Sequence, residues 1–181
     1  CLDRIKRAMD RSKRRDTYYY AVVFMDLDRF KIINDSLGHS FGDWILIQTG
    51  ERLLKAVREL DTVSRFGGDE FILLLEDLTL PREAIRIIKR VQAAMAEPFV
   101  LKDHEMLVTA SFGVVLSPTD YKKPEELLQH ANIAMHRVKE TGRGRMKVFT
   151  THMLEMAIMR LTMESEIRRA LTAGEFFLEY Q

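Results

Sequence analysis

Two adjacent glycines, Gly67 and Gly68, separate two short apolar runs near the middle of the chain. Apolar runs joined by two glycines predict a β-hairpin, because a tight hairpin turn needs positive φ angles that glycine adopts without strain. Asp69 and Glu70 follow directly, so the hairpin would present two carboxylates at its exposed tip. Carboxylates in that position suit a magnesium–phosphate site. Taken alone, so short a motif more often marks an ordinary surface turn.

A second segment upstream changes this interpretation. Residues 21–25 form a continuous apolar run, which predicts a strand buried on both faces. Asp26 ends the run and would meet Asp69 if the two strands were neighbours. The alternative is that Asp26 merely ends a strand and Asp69 merely hydrates a turn. Asp28 precedes a helical segment, which favours an N-cap role for it over a ligand role.

Composition narrows the class of protein. A length of 181 residues suits one domain plus an appendage, and 46% hydrophobic residues are ordinary for a globular protein. The formal net charge of +1 gives no footprint for nucleic acid or a membrane surface. No apolar run approaches the roughly 20 residues that span a bilayer. The single cysteine, Cys1, fits a reducing compartment, so we expect a cytoplasmic domain, with any membrane anchor in a preceding part of a longer parent protein.

Hydrophobic periodicity and turn residues predict helices alternating with strands. The runs 99–102 and 106–116 read as a second hairpin. Predicted helices cover about 2–15, 29–36, 43–58, 81–97, 124–140 and 151–174, and the remaining predicted strands cover 18–26, 62–66, 70–76 and 146–150.

These segments closely resemble the GGDEF domain of diguanylate cyclases. The resemblance rests on the signature at 67–71 and on Asp-x-Asp at 26–28, followed by Phe-Lys-x-x-Asn-Asp-x-x-Gly-His-x-x-Gly-Asp at 30–43. It covers about residues 1–150. It implies an α/β (α+β) fold with a central, mainly antiparallel five-stranded sheet flanked by helices, related to the palm domains of polymerases and nucleotide cyclases.

The resemblance also implies an activity, the condensation of two GTP molecules into cyclic di-GMP with release of pyrophosphate. It makes Asp69 and Glu70 catalytic, and it assigns a site for Mg²⁺ or Mn²⁺ to Asp26, the Leu27 carbonyl, Asp69 and Glu70. Because the family fold holds one GTP per subunit, catalysis would need a homodimer. No nucleic acid is expected as a partner.

Substrate contacts carry over from the family pattern in the same way. Residues that would read guanine and ribose lie in the segment after the first strand, where Asp43 could instead be a helix N-cap and His39 could brace the loop. Residues that would contact phosphates are cationic, and their alternative is a solvated basic face. The two sets are Asn34, His39 and Asp43 for the nucleoside, and Lys31, Lys139 and Arg143 for the phosphates.

Two further features modify this expectation. The helix at 131–143 departs from the family pattern at Asn132, where the family has Asp, and at His136, where it has Tyr. Arg58 and Asp61 match the family's RxxD inhibitory site, at which the product docks. An Arg can pair with guanine O6 and N7, and a carboxylate can accept from the N1 and N2 protons. The alternative for this pair is a weak i,i+3 ion pair.

The C-terminal part resembles a different family. Residues 151–174 are similar to a linker helix and residues 175–181 to the first strand of an EAL phosphodiesterase domain, which implies a tandem GGDEF–EAL parent. An alternative function follows, a GTP-binding module that regulates the attached phosphodiesterase. A degenerate scaffold is the third hypothesis, although it predicts loss of the signature carboxylates, which are present.

Overall fold

The computed structural model describes residues 1–101, 104–118 and 120–179 of the chain, in which helices and strands alternate largely as predicted. The helices are α1 (Leu2–Arg14), α2 (Phe30–Leu37), α3 (His39–Ala56), α4 (Arg82–Ala96), α5 (Pro124–Thr141) and α6 (Thr151–Ala173). The strands are β1 (Tyr19–Leu27), β2 (Thr62–Gly67), β3 (Glu70–Leu78), β4 (Phe99–Leu101), β5 (His104–Met106), β6 (Ala110–Leu116) and β7 (Met146–Val148).

Strand β1 lies at the centre of the main sheet, which has five strands in the described residues, in the order β2-β3-β1-β6-β7. The pairs β2–β3, β3–β1 and β1–β6 are antiparallel, whereas β6 and β7 are parallel. A parallel neighbour needs a crossover connection, which α5 supplies between β6 and β7. The expected mainly antiparallel sheet is therefore confirmed, and one parallel pair at its edge makes it a mixed sheet.

Helices cover both faces of the sheet because the side chains of β1 alternate between two apolar cores. Val23 and Met25 pack in the core that includes α2, α3 and α4. Val22 and Phe24 pack in the core on the opposite face, with α1 and α5. The apolar run at 21–25 is buried on both faces, as its composition predicts.

One glycine allows α5 to lie directly on the sheet. A Cβ atom on Gly113 of β6 would overlap the backbone carbonyl oxygen of Ala131 and the backbone nitrogen of Met135. Only a residue without a side chain permits this close approach of strand and helix. The approach fixes the position of α5, and with it the Lys139 end of that helix.

The predicted second hairpin is wrong in its extent. β4 pairs with β5 in a separate two-stranded sheet, while β6 joins β1 in the central sheet. β6 is buried at nearly every position and requires neighbours on both sides, whereas β4 exposes Val100. Residue 102 of the predicted first strand lies outside the described residues.

The predicted start of the third helix is also wrong. α3 begins at His39, so Asp43 lies inside the helix and is not its N-cap. The reason is Gly38, whose φ of +82° ends α2 and lets the chain turn directly into α3. The two helices therefore follow each other without the predicted loop.

Contacts divide the chain into two units, Cys1–Phe149 and Thr150–Gln181. In the second unit, α6 ends at Gly174, which adopts the left-handed conformation with φ +68°. Residues 175–179 form neither helix nor strand, and 180–181 lie outside the described residues. Among the described residues, none of the helices has the length and apolar character to cross a membrane.

Candidate functional site

The hairpin tip is built around a single left-handed glycine. Gly67 pairs with Glu70, so the two-residue turn is Gly68-Asp69, one residue later than the glycine pair. Gly68 has φ +49°, whereas Asp69 does not have a positive φ. A positive φ at the first central residue alone is a feature of the type II′ turn, which requires glycine there. The turn places Asp69 at the tip and Glu70 at the start of β3.

Pairing of β1 with β3 brings this tip to the end of the central strand. Asp26 is the register partner of Glu70, and the Leu27 N–H donates to the Asp69 carbonyl oxygen at 3.3 Å. The structure therefore brings together Asp26, Leu27, Asp69 and Glu70, the residues that the sequence analysis grouped as a metal site.

The carboxylates of this cluster lie where their negative charges are energetically unfavourable. The pKa of Asp26 is raised to about 6 from an ordinary value of 3.8, chiefly by burial and also by the neighbouring charges of Asp69 and Glu70. Lys139 opposes both effects, because its Nζ lies 2.6 Å from Asp26 Oδ1. The two groups therefore form an ion pair. The cluster thus carries excess negative charge that one ammonium group only partly offsets.

The cluster fits a divalent cation that also binds phosphate. In the part of the chain that the structure describes, no three Asp, Glu, His or Cys side chains are grouped closely enough to hold an ion by themselves. Mg²⁺ is commonly held by one or two carboxylates, with water and phosphate oxygens completing an octahedron. Asp26 and Asp69, with the backbone carbonyl of Leu27, are the donors that match this chemistry.

The predicted base-reading residues lie where α2 meets α3. Asn34 is in the last turn of α2, and its Oδ1 is buried without a hydrogen-bond partner among the described residues. Gly42 leaves the space for this side chain, since a Cβ there would overlap Asn34 Oδ1. His39 is exposed at the start of α3. Asp43 lines a depression of about 440 Å³ together with Arg65, which precedes the hairpin tip.

The three predicted phosphate-binding cations are not equivalent. Lys139 in the last turn of α5 contacts the carboxylate cluster directly. Lys31 is exposed in the first turn of α2. Arg143 is exposed in the turn after α5 and lines a second depression, of about 530 Å³.

Asp28 does not cap α2, so that prediction is wrong. Arg29, in the left-handed conformation, occupies the N-cap position of α2. Asp28 is 6% exposed, and its carboxylate accepts hydrogen bonds from Thr109 Oγ1 at 2.7 Å, Ser111 Oγ at 2.7 Å and the Gly144 N–H at 2.9 Å. These donors are distant in sequence, and the alternation of hydroxyls at 109 and 111 is the one sequence signal that points to them.

Arg58 and Asp61 form a compact pair. Asp61 has no exposed side-chain surface, and its carboxylate accepts hydrogen bonds from the Arg58 backbone and guanidinium and from the Glu76 N–H. The guanidinium also donates to the Glu76 carbonyl oxygen at 2.7 Å, and the Arg58 side chain is 35% exposed. The i,i+3 ion pair of the sequence analysis is therefore present, with Asp61 fully engaged and Arg58 facing solvent in part.

A row of arginines that was not predicted from the sequence lies next to this pair. Four arginines of α1 and the segment after it line a depression of about 410 Å³, together with Leu60, Glu76 and Asp77. Glu76 Oε1 accepts hydrogen bonds from Tyr18 at 2.8 Å and from one of these arginines at 3.3 Å. Their spacing of three or four residues was the available signal. We call this set the α1 arginine row: Arg4, Arg7, Arg11 and Arg15.

Comparison with known proteins agrees with this architecture. Residues 1–145 match the family model described as diguanylate cyclase, GGDEF domain. The cyclic di-GMP phosphodiesterase NbdA of Pseudomonas aeruginosa is 44% identical over 161 residues, covering 89% of this chain and 20% of that protein. The bifunctional diguanylate cyclase/cyclic di-GMP phosphodiesterase MucR of the same species is 37% identical over 179 residues, covering 99% and 26%. The chain thus spans about a quarter or less of these relatives.

A solved structure has the same fold. The GGDEF domain of YfiN, or TpbB, from Pseudomonas aeruginosa superposes with a TM-score of 0.78 at 36% identity, covering 82% of this chain and 92% of that chain. The five-stranded sheet with its glycine hairpin therefore defines an α+β domain of the GGDEF type. This chain belongs to the GGDEF domain family of diguanylate cyclases.

The raised pKa of Asp26 predicts a pH-dependent gain in stability for Asp26→Asn. A folded-state pKa of about 6 means that Asp26 contributes stability below about pH 4 that is lost as the pH rises through 6. At pH 8 the wild type therefore carries a cost, on the order of 3 kcal/mol, that the variant lacks. Urea denaturation should show Asp26→Asn to be more stable at pH 8, with the difference shrinking at pH 4.5.

Lys139 is 27% exposed and keeps part of its hydration when its partner loses charge. An Asp26→Asn difference that is the same at both pH values would contradict the account.

Proposed function

We propose that this domain is a diguanylate cyclase, which condenses two GTP molecules into cyclic di-GMP and two pyrophosphates. The observation that carries the proposal is the convergence of Asp26, Asp69 and Glu70 beside Lys139. Charged groups with strongly perturbed pKa values cluster at functional sites, and a polyphosphate with its cation would use this arrangement. The name of the relative MucR, a bifunctional diguanylate cyclase/cyclic di-GMP phosphodiesterase, supports the same chemistry.

In the proposed reaction, the 3′-hydroxyl oxygen of one GTP forms a bond to the α-phosphorus of the other. The bond from that phosphorus to the oxygen bridging to the β-phosphate breaks, and pyrophosphate leaves. The hydroxyl proton passes to a carboxylate, for which we propose Asp69 at the hairpin tip. A second step with the two nucleotides exchanged closes the ring.

The carboxylates would also bind a divalent metal ion as a cofactor. Asp26, Asp69 and Glu70, with the Leu27 carbonyl, would hold Mg²⁺ or Mn²⁺, which supplies positive charge to the phosphates and the leaving group. Phosphate binding would draw Lys139 away from Asp26, because the phosphates carry more charge than one carboxylate. The exposed cations Lys31 and Arg143 would add further contacts along the triphosphate.

Base recognition is assigned to the junction of α2 and α3. Asn34 would offer its side-chain amide to guanine once that side chain turns from its buried position against Gly42, where its Oδ1 has no hydrogen-bond partner among the described residues. The Asp43 carboxylate suits the N1–H and N2 donors, and His39 at the start of α3 would contact the ribose. These roles require one GTP per subunit, so turnover requires two copies of the chain facing each other with two-fold symmetry.

A direct test incubates the chain with GTP and Mg²⁺ at high protein concentration and measures cyclic di-GMP by chromatography. Asp69→Asn should lower the rate by on the order of 100-fold or more, because it removes the proton acceptor and a metal ligand. Asp35→Asn, an exposed aspartate of α2, is the matched control and should leave the rate unchanged. Undiminished product from Asp69→Asn would exclude the proposed role.

A regulatory module is the second candidate, because NbdA, at 44% identity, is named a cyclic di-GMP phosphodiesterase. The EAL-like residues 175–181 and the departures at Asn132 and His136 point in the same direction. In this case the chain would bind GTP without forming product. GTP would then raise the phosphodiesterase rate of the longer parent, and a forced dimer of this chain would still be inactive.

We also propose that product inhibits the enzyme at Arg58 and Asp61. The buried Asp61 holds the partly exposed guanidinium of Arg58 beside the depression lined by the α1 arginine row. Arg58 would address guanine O6 and N7, and the neighbouring arginines would meet the product's phosphates. Glu76 joins the two features, since its backbone binds the pair and its side chain binds Arg11.

Arg58→Ala should raise the concentration of added cyclic di-GMP needed for half-inhibition by about tenfold or more, since a charged hydrogen bond contributes about that factor. The basal rate without product should stay close to that of the wild type. Arg86→Ala removes another i,i+3 arginine pair, on α4, and should leave inhibition unchanged. Equal inhibition of both variants would rule out this site.

A further inference from the structure

The turn after α5 has an unusual backbone. Gly142, Arg143 and Gly144 have φ values of +129°, +50° and +61° in succession. Arg143 is the non-glycine among them, and a side chain in the left-handed region costs free energy that its surroundings must offset. Because Arg143 is one of the proposed phosphate contacts, whatever holds this turn also sets where its guanidinium is presented.

Hydrogen bonds tie this turn both to its own helix and to the end of β1. The Arg143 N–H donates to the Val138 carbonyl oxygen at 3.1 Å, which ties the turn to its own helix. The Gly144 N–H donates to Asp28 Oδ2 at 2.9 Å, which ties it to the end of β1. The Asp28 carboxylate also accepts hydrogen bonds from Ser111 Oγ in β6 and from Thr109 Oγ1, just before β6, at 2.7 Å each.

Asp26 and Asp28 both lie at the C-terminal end of β1. Asp26 contacts the last turn of α5, and Asp28 contacts the turn that follows this helix. Asp26 meets Lys139 through an ion pair that a nucleotide phosphate can replace. Asp28 accepts hydrogen bonds from three donors within the protein, which leaves it unsuited to bind a metal ion. When Lys139 turns to the substrate, the contact of Asp28 with Gly144 remains as a tether between strand and helix end.

We propose that Asp28 is a positioning residue that holds the turn of Arg143 for contact with the nucleotide phosphates. The proposal rests on the proposed function, since it assumes that Arg143 meets GTP. It predicts that loss of the oxygen atom with which Asp28 accepts from the Gly144 N–H weakens nucleotide binding through Arg143 and through no other group.

The test measures binding of a non-hydrolysable GTP analogue with Mg²⁺ to the full chain by calorimetry. Asp28→Ala should weaken binding about tenfold, as should Arg143→Ala, and the double variant should bind no more weakly than Arg143→Ala. Asp28→Asn should stay within about threefold of wild type, because its amide oxygen can still accept from Gly144 while its NH₂ group donates to Ser111. Asp35→Ala, at an exposed aspartate of α2, is the control and should not change binding.

Additive effects of Asp28→Ala and Arg143→Ala would overturn the proposal, as would equal losses in Asp28→Asn and Asp28→Ala. If Asp28→Ala does not fold, Gly144→Ala strains the same turn from its other side, and its loss should likewise vanish in the Arg143→Ala background. Failure of the wild type to bind the analogue would defeat the proposed function and this inference together. Wild-type binding that depends on Arg143 but not on Asp28 would defeat the inference alone.

Discussion

Antiparallel pairing of β1 with β3 is the constraint on which the site depends. It sets Asp26 opposite Glu70 and beside Asp69, so that three carboxylates share one end of the sheet. Their repulsion, added to the burial of Asp26, opposes folding with every carboxylate charged. The apolar cores therefore hold the three carboxylates together against their mutual repulsion, and a cation beside them reduces that repulsion.

The rest of the fold supplies one such cation, the ammonium group of Lys139. The side chains of β1 pack in both cores, so a slip in its register would require both cores to repack. Gly113 lets α5 lie against β6, and the last turn of the helix then reaches the cluster with Lys139. A glycine in a neighbouring strand thus contributes to the electrostatics of a site whose charged groups it does not contact.

Local signals in the sequence were sufficient for part of this account. The Gly67-Gly68 pair predicted a hairpin and the apolar run before Asp26 predicted a third strand, and the hairpin tip does meet the end of that strand. Asp28 was misassigned because its donors, Thr109, Ser111 and Gly144, are distant in sequence, whereas a cap is a local interaction.

Boundaries were harder to predict where two signals compete at one position. Gly38 both ends α2 and precedes α3, so a rule that looks for a separate cap places the second helix too late. The run 106–116 looked like one strand because its apolar pattern continues across the break between β5 and β6.

Carboxyl-selective NMR titration of Asp26, without metal and then with Mg²⁺ and a non-hydrolysable GTP analogue, tests the central claim most directly. We predict a midpoint near pH 6 that falls by at least about one unit when the ligands bind; a midpoint near 3.8 without metal, or one that the ligands leave unchanged, would contradict the account.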